Sequence, residues 1–229
     1  MKNCKKIKTL VLLALASTSA SVLAAPGEDK SDYVADFSNP MAIYSEAGIG
    51  GSNDGLDLYG AFCGYLGGTF AHKIRVEGKD DLEYYKVNYL AVDTSTDTGF
   101  MLDTTWNQDD YRKVDEVNDT SIGVIKKIPL MNDRLNLYPK LKLGWLWGDE
   151  IKNTTYISAD AAVRFNVTSG FWVGGTPKYT YGMKGLELRE WSTSVDVGYQ
   201  FKQGIGLSAQ TILDSHEDTQ FRANLTFAF

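Results

Sequence analysis

The chain of 229 residues is poor in the residues that staple, cleave or kink a fold: it has two cysteines, two histidines and five prolines. Cys4 falls in a leader, so only Cys63 remains and no intramolecular disulfide can form. Beyond the leader no apolar run is long enough for a membrane-spanning helix. A capped apolar stripe of helical period is also missing. These absences exclude a helical membrane protein and a helix bundle. The mean hydropathy of −0.24 would ordinarily mean a soluble protein. A barrel escapes that test, because only alternate residues of its strands face lipid.

Residues 1–24 read as a secretory signal peptide. Lys2, Lys5, Lys6 and Lys8 precede a short apolar run over 10–16, and Val22-Leu23-Ala24 supplies small residues for cleavage. Cleavage after Ala24 removes four lysines and no acids, so the formal charge moves from −6 to −10. Residues 25–39, polar and proline-bearing, read as a periplasmic lead-in, and 40–229 as one barrel domain.

What the chain does have is period-two alternation. Residues 134–148 set Leu135, Leu137, Pro139, Leu141, Leu143, Trp145 and Trp147 against Asn136, Tyr138, Lys140, Lys142 and Gly144. A period of two marks a strand with one apolar and one wet face. This one is long enough to cross a bilayer at a tilt, and its two tryptophans sit where an aromatic girdle belongs. Further alternating stretches cover 56–66, 69–77, 83–92, 99–107, 155–167, 171–183, 191–201, 205–213 and 221–229. Residues 42–49 form a weak first strand. Residues 120–128 form a sixth whose faces are obscured by Lys126-Lys127. The expected fold is all-β: a transmembrane, antiparallel, up-and-down barrel of about twelve strands, or ten if Pro139 and Pro177 break the strands that hold them.

The connections alternate between short turns and mostly longer, charged loops, as in outer-membrane barrels. The longest, 108–118, reads as a hydrated outer loop. An even strand count places both termini in the periplasm. The ending Phe221–Phe229, FRANLTFAF, resembles the C-terminal signal of Gram-negative outer-membrane proteins, with Leu225, Phe227 and Phe229 on the matching positions. That resemblance implies insertion by the barrel-assembly machinery, with outer-membrane lipid as the chain's surroundings. The chain is also similar to small monomeric porins of the oligogalacturonate-channel type in mature length, strand number, acidic chain and basic lumen.

If the apolar face meets lipid, the other face lines the lumen. Its cations are Lys73, Arg75, Lys86, Lys140, Lys142, Arg164, Lys178 and Arg222, and its acids include Asp57, Glu77, Asp103, Asp160 and Asp196. Lumen charges set ion selectivity. Lys140, Lys142, Arg164 and Lys178 lie on three neighbouring strands in one register, with Asp160 the single acid among them. This basic wall predicts a monomeric diffusion channel for small anionic solutes. The alternative is a structural or surface-binding barrel, its lumen filled and salt-bridged.

Enzymatic chemistry finds little to work with. His72 lies in the lipid-side register without a nearby serine, and His216 sits in an acidic loop, 214–218, whose bland reading is hydrated surface. No metal-loop spacing is present, no cofactor is implied, and the acidic chain carries no nucleic-acid signal.

Overall fold

Period-two alternation gives a strand two chemically different faces, and strands with one apolar face satisfy lipid only by closing into a barrel, which leaves no edge. The computed structural model describes residues 35–108, 116–149, 151–201, 204–215 and 219–229. Its strands are β1 (Glu46–Ser52), β2 (Leu56–Gly67), β3 (Phe70–Lys79), β4 (Tyr84–Asp93), β5 (Thr98–Gln108), β6 (Val117–Lys126), β7 (Ile128–Leu130), β8 (Leu135–Trp147), β9 (Thr154–Asn166), β10 (Phe171–Lys184), β11 (Arg189–Phe201), β12 (Ile205–Asp214) and β13 (Gln220–Ala228). Each pairs antiparallel with its neighbour in sequence, except that β6 pairs directly with β8, and β1 closes on β13. The result is a closed barrel of twelve staves, one of them split into β6 and the short β7. Most of the predicted outer loop, 109–115, lies outside the described residues, as do His216 and its acidic neighbours.

The extra element is a consequence of Pro139. The β6–β8 ladder runs to Ile125 opposite Lys140, and the β7–β8 ladder resumes at Ile128 opposite Leu137. Pro139 lies in the gap with no N–H to donate, so one stave is cut into β6 and β7 without any change of register. Pro177 acts in the same way. It is paired with Thr193 of β11, but the ladder to β9 skips Thr176 and Pro177 before resuming at Lys178 opposite Asp160. Each proline costs a local rung and leaves the stave in place, which settles twelve against ten.

The faces are sorted by chemistry. On β8, Asn136, Tyr138 and Leu146 are buried, while Leu141, Leu143 and Trp145 are about half exposed. The exposed large apolar residues fall on the outward register almost throughout, and aromatics gather at both rims of the band. Trp145 packs against Trp147 at one rim, with ring centroids 6.0 Å apart, and Tyr199 packs against Phe201 at the other, 4.8 Å apart. From Trp191 to Tyr199 is about 27 Å along the strand, or roughly 20 Å along the axis at the usual tilt. That is most of the apolar band, about 25 Å tall, of a membrane-spanning barrel.

The first strand begins later than its alternation suggests. β1 opens at Glu46, where the Phe229 N–H donates to the Ser45 carbonyl at 3.0 Å and ties the last residue to the root of the first strand. Residues 35–45 form no strand. They turn inside the short-turn end of the barrel, where Ala35, Ser38, Met41 and Tyr44 are buried.

Candidate functional site

The inward face of the strands gathers charged side chains away from lipid. All ten side chains expected from the sequence to line the lumen (Lys73, Arg75, Lys86, Lys140, Lys142, Asp160, Arg164, Lys178, Asp196 and Arg222) stand on the inward register. Alternation places them there: each lies an even number of residues from a buried inward neighbour on its own strand.

The basic wall is nevertheless not bare. Lys140 pairs with Asp160 at 2.8 Å, Lys142 with Asp103, and Arg164 with Asp196 at 3.2 Å. Arg75 bridges Glu46 at 2.7 Å and Glu77 at 2.8 Å, and Glu77 also meets Lys79 at 3.2 Å. Arg222 is clamped between Asp57 at 2.6 Å and Asp80 at 3.0 Å. The expectation that Asp160 alone answers four cations therefore fails. Strand neighbours stand about 5 Å apart, but an arginine or lysine reaches over one stave to the next. Arg164 of β9 crosses β10 to Asp196 of β11, Arg222 of β13 crosses β1 to Asp57 of β2, and Lys142 of β8 crosses β6 to Asp103 of β5.

Four inward acids escape the sequence reading: Glu46, Asp119, Glu190 and Asp214. With them, inward acids match inward cations in number among the described residues. Glu46 belongs to a glycine-rich strand whose faces cannot be told apart by hydropathy. Asp119 follows if Ile122 and Val124, ahead of the ambiguous lysines, are taken as the outward face; there it accepts the Tyr156 hydroxyl on both oxygens at 2.8 Å. Glu190 and Asp214 sit at strand ends that read as loop.

Three cations stand apart from the pairing: Lys73, which donates to the Ala42 carbonyl at 2.8 Å, Lys86 and Lys178. Lys86 lies opposite Glu77 in register without a salt bridge. Lys178, opposite Asp160 at the centre of β10, is the only exposed cation on the inward register among the described residues. An exposed side chain at mid-barrel that points inward marks solvent-accessible space within the lumen.

Glycines on the inward face let long side chains lie flat against the wall. Gly144 faces Tyr156, Gly48 faces Tyr59 and Gly198 faces Trp172 in the paired strand. A Cβ at these glycines would fall 2.1–2.3 Å from the facing ring. The absent side chain is what allows each ring to cover its neighbour instead of projecting into the lumen. Gly174 does the same for Arg164, which runs across it towards Asp196.

Both mouths carry an apolar cluster on the same side. At the short-turn end Met41 joins Leu90, Val92, Ile125, Tyr138 and Ala162. At the long-loop end Val117, Leu146, Ile151, Tyr156 and Leu188 gather, with the β10–β11 connection folded over them; its Leu186 N–H donates to the Thr154 hydroxyl at 2.8 Å. The opposite side, β10 to β13 and β1, presents mainly small polar residues: Thr176, Ser192, Ser194, Ser208 and Asn224.

The remaining candidates do not converge. His72 faces outward, tilted against Tyr89 with ring centroids 5.9 Å apart. Cys63 is free and exposed, its sulfur 3.5 Å from the Ser45 hydroxyl. Among the described residues no three His, Cys, Asp or Glu side chains are grouped to hold a metal. Leu225, Phe227 and Phe229 lie in or just beyond β13, the closing stave; Phe227 and Phe229 are exposed and Leu225 is half-buried.

No protein-family model and no curated protein matches the sequence. Solved structures do match the fold. An outer membrane channel from Pseudomonas putida F1 superposes with a TM-score of 0.62 at 11% identity, covering 89% of this chain and 100% of that one. The NanC porin gives 0.56 at 7% identity, covering 81% and 100%. The KdgM porin, in complex with disordered oligogalacturonate, gives 0.54 at 9% identity, covering 82% and 99%. LpxR from Salmonella typhimurium shares the barrel as well, at 0.52 and 9% identity. The chain thus has the barrel fold of these outer-membrane proteins, and what its lumen does must be argued from its own side chains.

Proposed function

We propose that this protein is an outer-membrane diffusion channel for small solutes, acting as a monomer and inserted by the barrel-assembly machinery with its short turns towards the periplasm. The observation that carries the reading is Lys178: a cation at mid-barrel, directed inward and exposed, beside a wall of serine, threonine and glycine. A filled barrel would bury or pair it. Solutes pass along that small-residue wall, while the ion-paired wall opposite holds the barrel's shape.

The preferred solutes are small anions, and the preference is mild. Paired charges present little net field, so selectivity rests on Lys178, not on Lys140, Lys142 and Arg164. A confined lumen focuses the field of such an unpaired charge, and water and salt in it screen the effect over about a Debye length. The fold is shared with a porin described in complex with oligogalacturonate, an acidic saccharide, which agrees with an anionic class of solute.

A second reading, a non-conducting barrel, is favoured by one observation: the apolar cluster around Met41 across part of the short-turn mouth. Planar-bilayer recording in a salt gradient separates the two. The expected result is a small conductance with a reversal potential on the anion side, shifted towards cations by Lys178→Glu and much less when one ion pair is neutralised as a whole by Lys140→Gln with Asp160→Asn. A barrel that never conducts sinks the channel reading, and a cation-selective wild type sinks the anion preference.

A further inference from the structure

The segment 35–45 lies inside the barrel mouth and reaches across it. Phe37 sits against Gly206 of β12, where a Cβ would fall 2.9 Å from its ring, and its N–H donates to the Gln200 side chain of β11 at 3.3 Å. Met41 lies in the apolar cluster with side chains of β4, β6, β8 and β9. Lys73 of β3 donates to the Ala42 carbonyl at 2.8 Å and rests 4.9 Å from the Tyr44 ring centroid. The segment therefore meets the wall on opposite sides of the lumen.

Its internal bonding differs from that of the staves. Asn39 N–H donates to the Asp36 carbonyl and Ala42 N–H to the Asn39 carbonyl, at 3.2 and 3.1 Å. Ser38 donates from both its backbone and its hydroxyl to the Asp36 carboxylate, and Met41 N–H donates to the Asn39 side chain. These turns satisfy much of the segment's backbone locally, so it does not depend on the barrel ladder. Its contacts with the wall are made by side chains: Gln200 with the Phe37 N–H, Gly206 under the Phe37 ring, Lys73 with Ala42 and Tyr44, and the apolar packing of Met41 and Ile43. The root, by contrast, is fixed at Ser45 and Glu46 by Phe229 and Arg75.

We infer that residues 35–45 form a hinged strap that closes the short-turn mouth and swings out from Ser45 to open it. The inference rests on the channel reading and adds the position at which passage is controlled. A turn whose backbone is bonded within itself, and which meets the wall outside the ladder, can leave as a unit, whereas losing any stave would open the barrel. The strap sets which of two populations, closed or open, the channel occupies.

The test uses the mature protein in planar bilayers and three variants. Deletion of residues 35–44 removes the strap and leaves β1 intact; Met41→Asp and Lys73→Met loosen it in the full chain in case the deletion assembles poorly. Mean conductance should rise by about an order of magnitude in the deletion, and open time should lengthen in the point variants. A second readout does not need current: in a Cys63→Ser background, Ser194→Cys should react with a charged methanethiosulfonate added from the short-turn side about tenfold faster once the strap is deleted. Equal, non-zero conductance and equal thiol reactivity with and without the strap overturn the strap and leave the channel standing. No conductance in any variant, with Ser194→Cys protected throughout, overturns both.

Discussion

The two arcs of the barrel wall present opposite chemistries to one lumen. From β2 to β9 the inward face carries long side chains, paired acid to base or packed into apolar clusters at both mouths. From β10 through β13 to β1 it carries mostly small polar residues and glycine, and the exposed Lys178. The arcs meet at two seams, and an ion pair reaches over each: the partly buried Arg164 to Asp196 across β10, and the buried Arg222 to Asp57 across β1. One arc makes the barrel rigid and the other leaves room. A barrel interior can be filled by side chains or left hollow, and here the filling is gathered on one arc.

Breaking a seam should produce the largest effect on stability. Arg222 and Asp57 have side chains about 5% exposed, and Asp80 shares the guanidinium. Arg222→Met strands two carboxylates in a confined lumen, which costs about 4 kcal/mol in the manner of other broken buried pairs. Urea unfolding of the barrel in lipid vesicles measures it. Adding Asp57→Asn should restore part of the loss, since the penalty comes from unpaired charge. A loss under about 1 kcal/mol for Arg222→Met, the range of exposed pairs, would mean that water solvates the seam.

The next effect belongs to the packed arc. Tyr138 is fully buried in the cluster around Met41. Tyr138→Ala leaves a cavity and should cost about 3 kcal/mol. The same change should loosen the strap, so longer open times in single-channel records are expected alongside the loss of stability.

A smaller effect tests the glycine device. Gly198→Val would drive side-chain atoms into the space of the Trp172 ring, which stands 2.3 Å from where even a Cβ would fall. Overpacking of this kind costs about 2 kcal/mol, and displacement of Trp172 should shift its fluorescence. An unchanged spectrum and stability would mean that the ring is not held against the wall.

Legibility follows the strength of alternation. β8, β9 and β11 each contrast apolar and polar residues over a dozen positions, so sequence alone puts Lys140, Asp160, Arg164 and Asp196 on the correct face. Their pairing is not legible, because it depends on which side chains reach over an intervening stave, and register between strands is fixed by turns as well as by hydropathy. Glu46 is hidden by the glycines of β1, whose inward Gly48 and Gly50 exist to admit neighbours. Residues 35–45 are unreadable for a different reason: with turn chemistry at Asp36, Ser38 and Asn39 and no periodicity, they resemble any polar lead-in. Only the burial of Met41 and Tyr44 shows that they enter the barrel.

The smallest stability effect and a clear functional one are expected at the same position on the open arc. Ser194 stands on the inward face of β11 between Thr176 and Ile212 in the paired staves, half-exposed, with no ion pair to lose. Ser194→Ala removes one hydroxyl that water already solvates, so stability should change by less than about 0.5 kcal/mol. Ser194→Trp adds a large ring where the wall is otherwise lined by small side chains, and it should roughly halve the conductance by narrowing the path. The control is Ser158→Trp on the packed arc. Ser158 is buried between Lys142 and Thr180 in register, so the ring has no room and the cost should appear as lost stability. If passage follows the small-residue arc, the two tryptophans separate cleanly, one reducing current and the other reducing folding. Equal conductance loss in both, at equal yield of folded barrel, would place the path at the centre of the lumen and remove the division between the arcs.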